Sequence, residues 1–110
     1  MCFEDETPTR STARSPVVRS EPPLFRLGKL VATRCVLMLL EREGIRADPY
    51  LDHHAHGDWG DVSPTDAEAN RLAVFHGARI LSSYRIAGER VWIITEADRS
   101  VTTLVLPSEY

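Results

Sequence analysis

The residues with the richest chemistry lie in one short segment, 53–61, whose sequence is His-His-Ala-His-Gly-Asp-Trp-Gly-Asp. It holds three of the four histidines of the chain, together with two aspartates and a tryptophan. Histidine and aspartate bind metal ions and transfer protons, and the two glycines indicate a tight backbone path. The segment is therefore the first candidate for a functional site, although no spacing in it matches a strong catalytic or metal-binding signature.

The surrounding stretch is acidic, and its acids allow two interpretations. Between positions 47 and 70 there are six acidic residues and no Lys or Arg. In the first interpretation, His54, Asp58 and Asp61 are ligands of a divalent metal ion that activates water for hydrolysis. Glu96 or Asp98 then completes the ligand set. In the second, Asp58 and Asp61 are loop residues that accept hydrogen bonds from nearby backbone amides. The lack of a His-x-x-x-His or paired-cysteine spacing favours the second interpretation.

A polar turn at 96–100 is a further candidate surface. Its sequence, Glu-Ala-Asp-Arg-Ser, lacks the Asn-Gly or Asp-Gly pair that tight turns favour. Either Glu96, Asp98 and Arg99 form a recognition loop, or an ion pair between Arg99 and one of the acids fixes the turn. The hydroxyl groups at 82–84 lie in the preceding strand, but no nucleophile motif surrounds them, which disfavours a serine hydrolase.

Four other residues of these chemical types are predicted to be structural. Trp59 either covers an edge of the sheet or forms the wall of a ligand cleft, and the first is favoured. Trp92 falls in the middle of a predicted strand and is expected in the core. His76 is expected to be a hydrogen-bonded core histidine. Cys35 lies in an apolar run, which predicts a buried and unreactive thiol.

Two helices are predicted in the first half of the domain, and the second one includes the histidines at 53–56. Thr33 caps a helix over 34–43, which a glycine at 44 ends in the left-handed conformation. The run 35–40 is apolar on every face, so a buried strand is the alternative for this segment. Asp48, followed by proline, is predicted to cap a second helix that continues to about His56.

A third helix is the best defined by its signals. The sequence Ser-Pro-Thr-Asp at 63–66 resembles a capping box with proline at the first helical position, and Gly77 ends the helix. Four residues are predicted to share its buried face: Ala69, Leu72, Ala73 and His76.

Strand patterns before and after these helices determine the fold class. An entry strand is predicted over about 27–32, and three strands over 79–86, 90–96 and 101–107 are joined by short turns. Both faces of the strand at 90–96 are mostly apolar, which makes it central. The predicted fold is α+β, with an N-terminal strand and two to three helices packed on a C-terminal three-stranded antiparallel meander.

Composition limits the domain organisation and the class of partner. Residues 1–22 contain three of the seven prolines and are predicted to be a disordered tail, which leaves 23–110 as a single domain. A net charge of -3 disfavours sequence-independent binding of nucleic acid. The longest apolar run is too short to cross a membrane, and the acidic N-terminus lacks the features of a secretory signal. Two cysteines are too few for a disulfide framework, which predicts reduced thiols and a cytoplasmic location.

Several segments resemble a family of short bacterial proteins that are encoded on plasmids and other mobile DNA. The resemblance lies in Gly57–Asp61 with His54 before it, in 81–85 and in 91–103, whose sequence is Val-Trp-Ile-Ile-Thr-Glu-Ala-Asp-Arg-Ser-Val-Thr-Thr. It covers about residues 27–110. Some members are described as plasmid-related proteins or as type I restriction endonuclease subunit M, which implies a link to restriction and modification. A chain of this size cannot hold the cofactor domain of a DNA methyltransferase, and no Gly-rich loop follows a strand, so methyltransferase activity is not expected.

Three functions compete at this point. The first is a non-enzymatic accessory protein that binds a protein or a small ligand, with the loop 57–61 and the hairpin 96–103 on one surface and no cofactor. Its acidic stretch would engage the basic surface of a protein that handles nucleic acid. The second is a small metal-dependent hydrolase, such as a nuclease. The third, a ribonuclease toxin, rests on fold analogy alone. No membrane partner is expected, and edge strands of the meander allow a homodimer.

Overall fold

The computed structural model describes residues 22–110, so the predicted tail lies almost entirely outside the described residues. Within this range the elements are β1 (Lys29–Ala32), α1 (Arg34–Glu43), α2 (Asp48–Ala55), α3 (Pro64–His76), β2 (Ile80–Ile86), β3 (Glu89–Thr95), β4 (Val101–Val105) and a 3-10 helix (Pro107–Glu109). The predicted α+β class is confirmed.

The four described strands form one mixed sheet in the order β1-β4-β3-β2. Strands β2, β3 and β4 are the predicted antiparallel meander, and β1 adds to it parallel to β4. The strand predicted to be central, β3, indeed has a neighbour on each side. The turn between β2 and β3 places Ala87 and Gly88 at positive φ, as a tight hairpin turn requires.

Helix α1 begins and ends where its capping residues predict. The Thr33 hydroxyl accepts a hydrogen bond from the Val36 amide, and Gly44 ends the helix with φ of 65°. The strand alternative for 35–40 is therefore wrong. The side chains of Val36, Leu39 and Leu40 are buried, whereas Met38 is exposed, so one face of the helix carries the packing.

Helix α2 begins differently from the prediction. Ala47 is its N-cap and no side chain caps it, while Asp48 is the first helical residue and Pro49 follows within the first turn. The Asp48 carboxylate instead accepts a hydrogen bond from Arg46 at 2.6 Å. An acid in the first turn still interacts favourably with the helix dipole.

Helix α3 has the predicted ends but a different buried face. The Ser63 hydroxyl accepts from the Asp66 amide, and Gly77 ends the helix at positive φ. Asn70 and Ala73 are the buried residues of this helix, whereas three of the four residues predicted to be buried are exposed: Ala69, Leu72 and His76. The error arises because a buried asparagine interrupts the apolar pattern from which a buried face is predicted.

The helices pack against one face of the sheet. The larger core cluster joins α1 and α2 to inward residues of β3 and β4, such as Val36, Leu51, Ile93 and Leu104. A smaller cluster of Phe25, Trp59, Ala73 and Ile80 lies at the end of the sheet near α3. No described helix is long and apolar enough to cross a membrane.

Candidate functional site

His54, the central residue of the predicted metal site, is fully buried and lies in a chain of hydrogen bonds. Its Nδ1 atom is 2.5 Å from the Ser82 hydroxyl oxygen, and its Nε2 atom is 2.9 Å from the Thr95 hydroxyl oxygen. The Thr95 hydroxyl is 2.7 Å from that of Thr102, which in turn donates to the Leu27 carbonyl at 2.6 Å. We call these five residues the His54 chain, and its four polar side chains are all buried.

The direction of every hydrogen bond in the His54 chain follows from the Leu27 carbonyl at its end. A carbonyl only accepts, so Thr102 uses its hydrogen on Leu27 and must accept from Thr95. Thr95 then accepts from the Nε2–H of His54, and the free Nδ1 atom accepts the Ser82 hydrogen. This arrangement satisfies each group only when His54 is neutral and protonated on Nε2.

The environment of His54 favours that neutral form. Burial, and secondarily the positive charge of Arg99, lowers the pKa of His54 from 6.5 to about 3. A protonated ring would also lose its acceptor for the Ser82 hydroxyl. The pair of Ser82 and His54 has the composition of a nucleophile and a base, but both side chains are buried at 0% exposure. In this structure the His54 chain therefore holds the sheet and α2 together and does not face a substrate.

Sequence reasoning missed Ser82, Thr95 and Thr102 as partners of His54. The available signal was that small hydroxyl side chains occupy inward positions of three neighbouring strands. Thr95 and Thr102 are direct cross-strand partners in the register of β3 and β4. Buried hydroxyl groups need hydrogen-bond partners, and a histidine on the buried face of α2 provides one at each ring nitrogen.

The loop 57–61 covers the outer edge of β2. The Ser83 amide donates to the Trp59 carbonyl at 2.9 Å, and the Asp61 amide donates to the Ser83 carbonyl at 2.7 Å. Gly60 has φ of 75° and lies so close that a Cβ atom there would overlap the Ser83 carbonyl oxygen. The glycine of this motif is thus needed for the close approach of two backbones.

A second part of this edge, at Leu81, is covered by one side chain from α3. The Asn70 side-chain amide donates to the Leu81 carbonyl at 2.7 Å, and its oxygen accepts from the Leu81 amide at 3.1 Å. An asparagine amide thereby replaces a neighbouring strand at this position. The loop 57–61 and Asn70 thus cover the edge of β2, and Trp59 lies in the core as predicted. These residues stabilise the sheet.

The acids of the predicted metal site each have a different partner. Asp58 is 3.1 Å from His53, and Asp61 is 3.0 Å from Arg90. Glu96 is 3.4 Å from Arg79. Asp98 accepts hydrogen bonds from the Ser100 amide and hydroxyl, which lowers its pKa. Within residues 22–110 no group of three or more His, Cys, Asp or Glu side chains is placed to hold a metal ion. The structure does not bring His54, Asp58 and Asp61 together as one ligand set.

Arg99 fixes the turn 96–100, but through backbone carbonyls and not through an acid. Its guanidinium donates to the carbonyls of Ala73, Ala78 and Glu96 at 2.8, 2.7 and 3.1 Å. It also lies 5.4 Å from the centre of the Phe25 ring, which stacks on Trp59 at 6.2 Å. The loop 57–61 and this turn are thus connected through Phe25, as a packed cluster and not as an open cleft.

Two surfaces that the sequence did not single out remain exposed. The first is the outer face of α3, where Glu68, Leu72 and Phe75 fall on one side at helical spacing. Leu72 is 42% exposed and Phe75 is 75% exposed. We call these three residues the α3 outer face.

The second surface is the face of the sheet opposite the three described α-helices, where Ser83, Ile94 and Val105 are buried and the C-terminal segment contacts the sheet through Tyr110. Trp92, which the strand pattern places in the core, is only half-buried on this face, and its ring centre lies 5.8 Å from that of Tyr110 in an edge-on arrangement. The Tyr110 hydroxyl accepts from Arg79 at 2.7 Å. Arg85 and Arg90 lie opposite each other in the register of β2 and β3 on the same face. We call it the open face.

Cys35 is exposed, which corrects the prediction of a buried thiol. Its position on the first turn of α1 faces the C-terminal 3-10 helix. The Glu109 carboxylate accepts a hydrogen bond from the thiol and, by this bond and by its charge, raises the pKa of Cys35. A raised pKa keeps the sulfur protonated, so Cys35 remains a poor nucleophile for a reason other than burial.

No family model, curated protein or solved structure matches this chain.

Proposed function

We propose that this protein is a non-catalytic accessory protein that binds the basic surface of a partner protein. Its association with mobile DNA and its cytoplasmic location are part of the proposal, which for these points rests on the sequence resemblance and the cysteine content. The proposal requires no cofactor. The partner class is a protein that handles nucleic acid, because such proteins carry basic surfaces.

The observation that carries the proposal is the exposure of Leu72 and Phe75 on the α3 outer face. The opposite side of the helix is already packed through Asn70 and Ala73, and Leu72 and Phe75 lie outside both core clusters. Large exposed aromatic side chains beside polar groups are typical of the energetic centres of protein interfaces.

The acids on this helix, on α2 and on the loop between them support a basic partner, although Asp48, Glu68 and Asp61 are each paired with an arginine. All six acids between positions 47 and 70 are exposed: Asp48, Asp52, Asp58, Asp61, Asp66 and Glu68. Such a distribution attracts a basic partner and accelerates its association at low salt. The chemically reactive side chains of the same stretch support binding over catalysis, since His54 is enclosed in its hydrogen-bond chain.

The test compares two exposed apolar positions on different helices. A photo-crosslinking amino acid replaces Phe75 in one variant and Met38, which is 58% exposed on α1, in the control. We expect a defined crosslinked partner from position 75 and none from position 38. The partner identified in this way is then purified for titration.

With the purified partner, Leu72→Ala combined with Phe75→Ala should weaken binding at least about tenfold, as expected for the loss of a central aromatic contact. Met38→Ala should leave the affinity unchanged. Equal crosslinking from both positions, or unchanged affinity in the double variant, would contradict the proposal. So would hydrolytic turnover by the purified protein that His54→Ala abolishes.

A further inference from the structure

The open face differs in charge from the rest of the molecule. Although the chain has a net charge of -3, four basic side chains lie on or beside this face: Lys29, Arg79, Arg85 and Arg90. Two side-chain acids accompany them, since Asp61 pairs with Arg90 and Glu96 pairs with Arg79. The side-chain charges form two groups, Lys29 and Arg79 with Glu96 at one end of the strands and Arg85 and Arg90 with Asp61 at the other, and each group has one more cation than acid.

The arrangement of two of these cations is unfavourable for the sheet alone. Arg85 and Arg90 are direct cross-strand partners, and like charges in that position destabilise a sheet. Within residues 22–110, Arg85 donates to the Gly88 carbonyl alone, at 3.3 Å, and Arg90 to a single carboxylate oxygen of Asp61. Two neighbouring guanidinium groups with spare donors favour an anion as the missing partner.

Aromatic rings lie beside these cations. Trp92 is on the central strand β3, two residues from Arg90 on the same face, and its direct neighbour on β2 is the small side chain of Ser83. Tyr110, which is 64% exposed, stands against the edge of the indole. Flat aromatic faces beside cations are the combination that binds unstacked bases and their phosphates.

We propose that the open face binds single-stranded nucleic acid, with bases against Trp92 and Tyr110 and phosphates against Lys29, Arg85 and Arg90. This inference goes beyond the proposed function and concerns the opposite layer of the molecule. A net negative charge does not oppose it, because the screening length at physiological salt is about 8 Å and the ligand responds to nearby charges.

The first experiment measures the fluorescence anisotropy of a labelled oligo(dT) of about 12 nucleotides, within the usual range of site sizes for one domain. The full-length protein is titrated into it and, separately, into a duplex of the same length. We expect saturable binding with a preference of at least about tenfold for the single strand, since stacked bases in a duplex cannot reach the rings. Absence of saturable binding, or equal affinity for the duplex, would overturn the inference.

Matched charge variants locate the site. Lys29→Glu with Arg85→Glu changes the open face, and Arg42→Glu with Arg71→Glu makes the same change in net charge on α1 and α3. The first pair should weaken oligo(dT) binding at least about tenfold and the second less than about threefold, because phosphate contacts are local. Equal losses in both pairs would show a net-charge effect and refute the site.

Tryptophan fluorescence distinguishes contact with bases from simple attraction between charges. Trp59 is buried and Trp92 is half-buried on the open face, so oligo(dT) should quench the emission of Trp92 alone. Trp92→Leu should abolish the quenching and lower affinity about tenfold, in line with loss of one stacked base. Quenching that persists in this variant would overturn the inference. So would displacement of the oligonucleotide by polyglutamate of equal charge, which would indicate an acidic protein surface as the occupant.

Discussion

At the scale of single residues, the surroundings of a side chain decide its function more than its type does. His54 lies in the most chemically dense segment of the sequence, and its ring is within hydrogen-bond distance of a serine. Because the ring is buried and both nitrogens are engaged, its role is to join α2 to three strands. The same residue with an exposed nitrogen would be a candidate base.

The depressed pKa of His54 leads to a specific prediction about acid stability. The pKa is 6.5 in an ordinary environment and about 3 in the fold, so below pH 6.5 the unfolded chain binds a proton that the folded chain does not. The free energy of unfolding should therefore fall as the pH drops, by up to about 1.4 kcal/mol per unit. Above pH 7, His54 should add no pH dependence.

His54→Gln provides the comparison, because an amide can still bond Ser82 and Thr95 but does not titrate. Urea unfolding of both proteins at several pH values should show a loss between pH 6.5 and 5 that is larger in the wild type by about 2 kcal/mol. The range above pH 5 is chosen because Asp98 and Glu109, whose pKa values are lowered, contribute at lower pH. Parallel pH profiles would show that His54 titrates normally.

At the scale of elements, the motif Gly-Asp-Trp-Gly-Asp is explained by the edge of β2. The loop must approach Ser83 closely enough to form two backbone hydrogen bonds, and only glycine fits at position 60. The motif resembles a functional signature in sequence because tight turns and active sites use the same residues.

Gly60→Ala should therefore destabilise the protein by about 3–5 kcal/mol, since it combines backbone strain with a steric overlap. Gly88→Ala is the matched control. Gly88 also has positive φ, at 83°, but a Cβ atom there would meet nothing within 4 Å. Its cost should be only about 1–2 kcal/mol, the penalty of the left-handed conformation itself. Equal losses in chemical denaturation would mean that the loop does not pack as described.

The elements that could be predicted from sequence are those with local causes. The caps at Thr33 and Ser63 and the end at Gly77 depend on residues within one turn, and all are confirmed. The buried face of α3 and the position of Trp92 depend on which side of a helix or sheet meets the core. That choice is made by distant contacts, such as those of Asn70, which periodicity does not contain.

At the scale of the whole molecule, average properties conceal how charge and exposed apolar surface are distributed. The net charge of -3 predicts no attraction to nucleic acid, yet the open face holds four cations against two acids. The candidate site shows the same limit of sequence reasoning. The sequence identified residues capable of chemistry, but His54 is buried and cannot meet a ligand. The two arginines at 85 and 90 become neighbours only through the register of β2 and β3. Such groupings arise only after the strands have paired.

Self-association is the property of the whole molecule that the edge of β2 should control. Asn70 satisfies both backbone groups of Leu81, and an uncovered strand edge is a template for pairing with another chain. Asn70→Ala should lower stability by about 2–3 kcal/mol, because two partly buried hydrogen bonds are lost and the Leu81 backbone groups are left without these partners. It should also increase the weight-average mass in sedimentation as protein concentration rises, relative to wild type and to the exposed control Arg71→Ala. If the Asn70 variant sediments as the wild type does at every concentration, the loop 57–61 alone must protect this edge, and the asparagine would act only on folding stability.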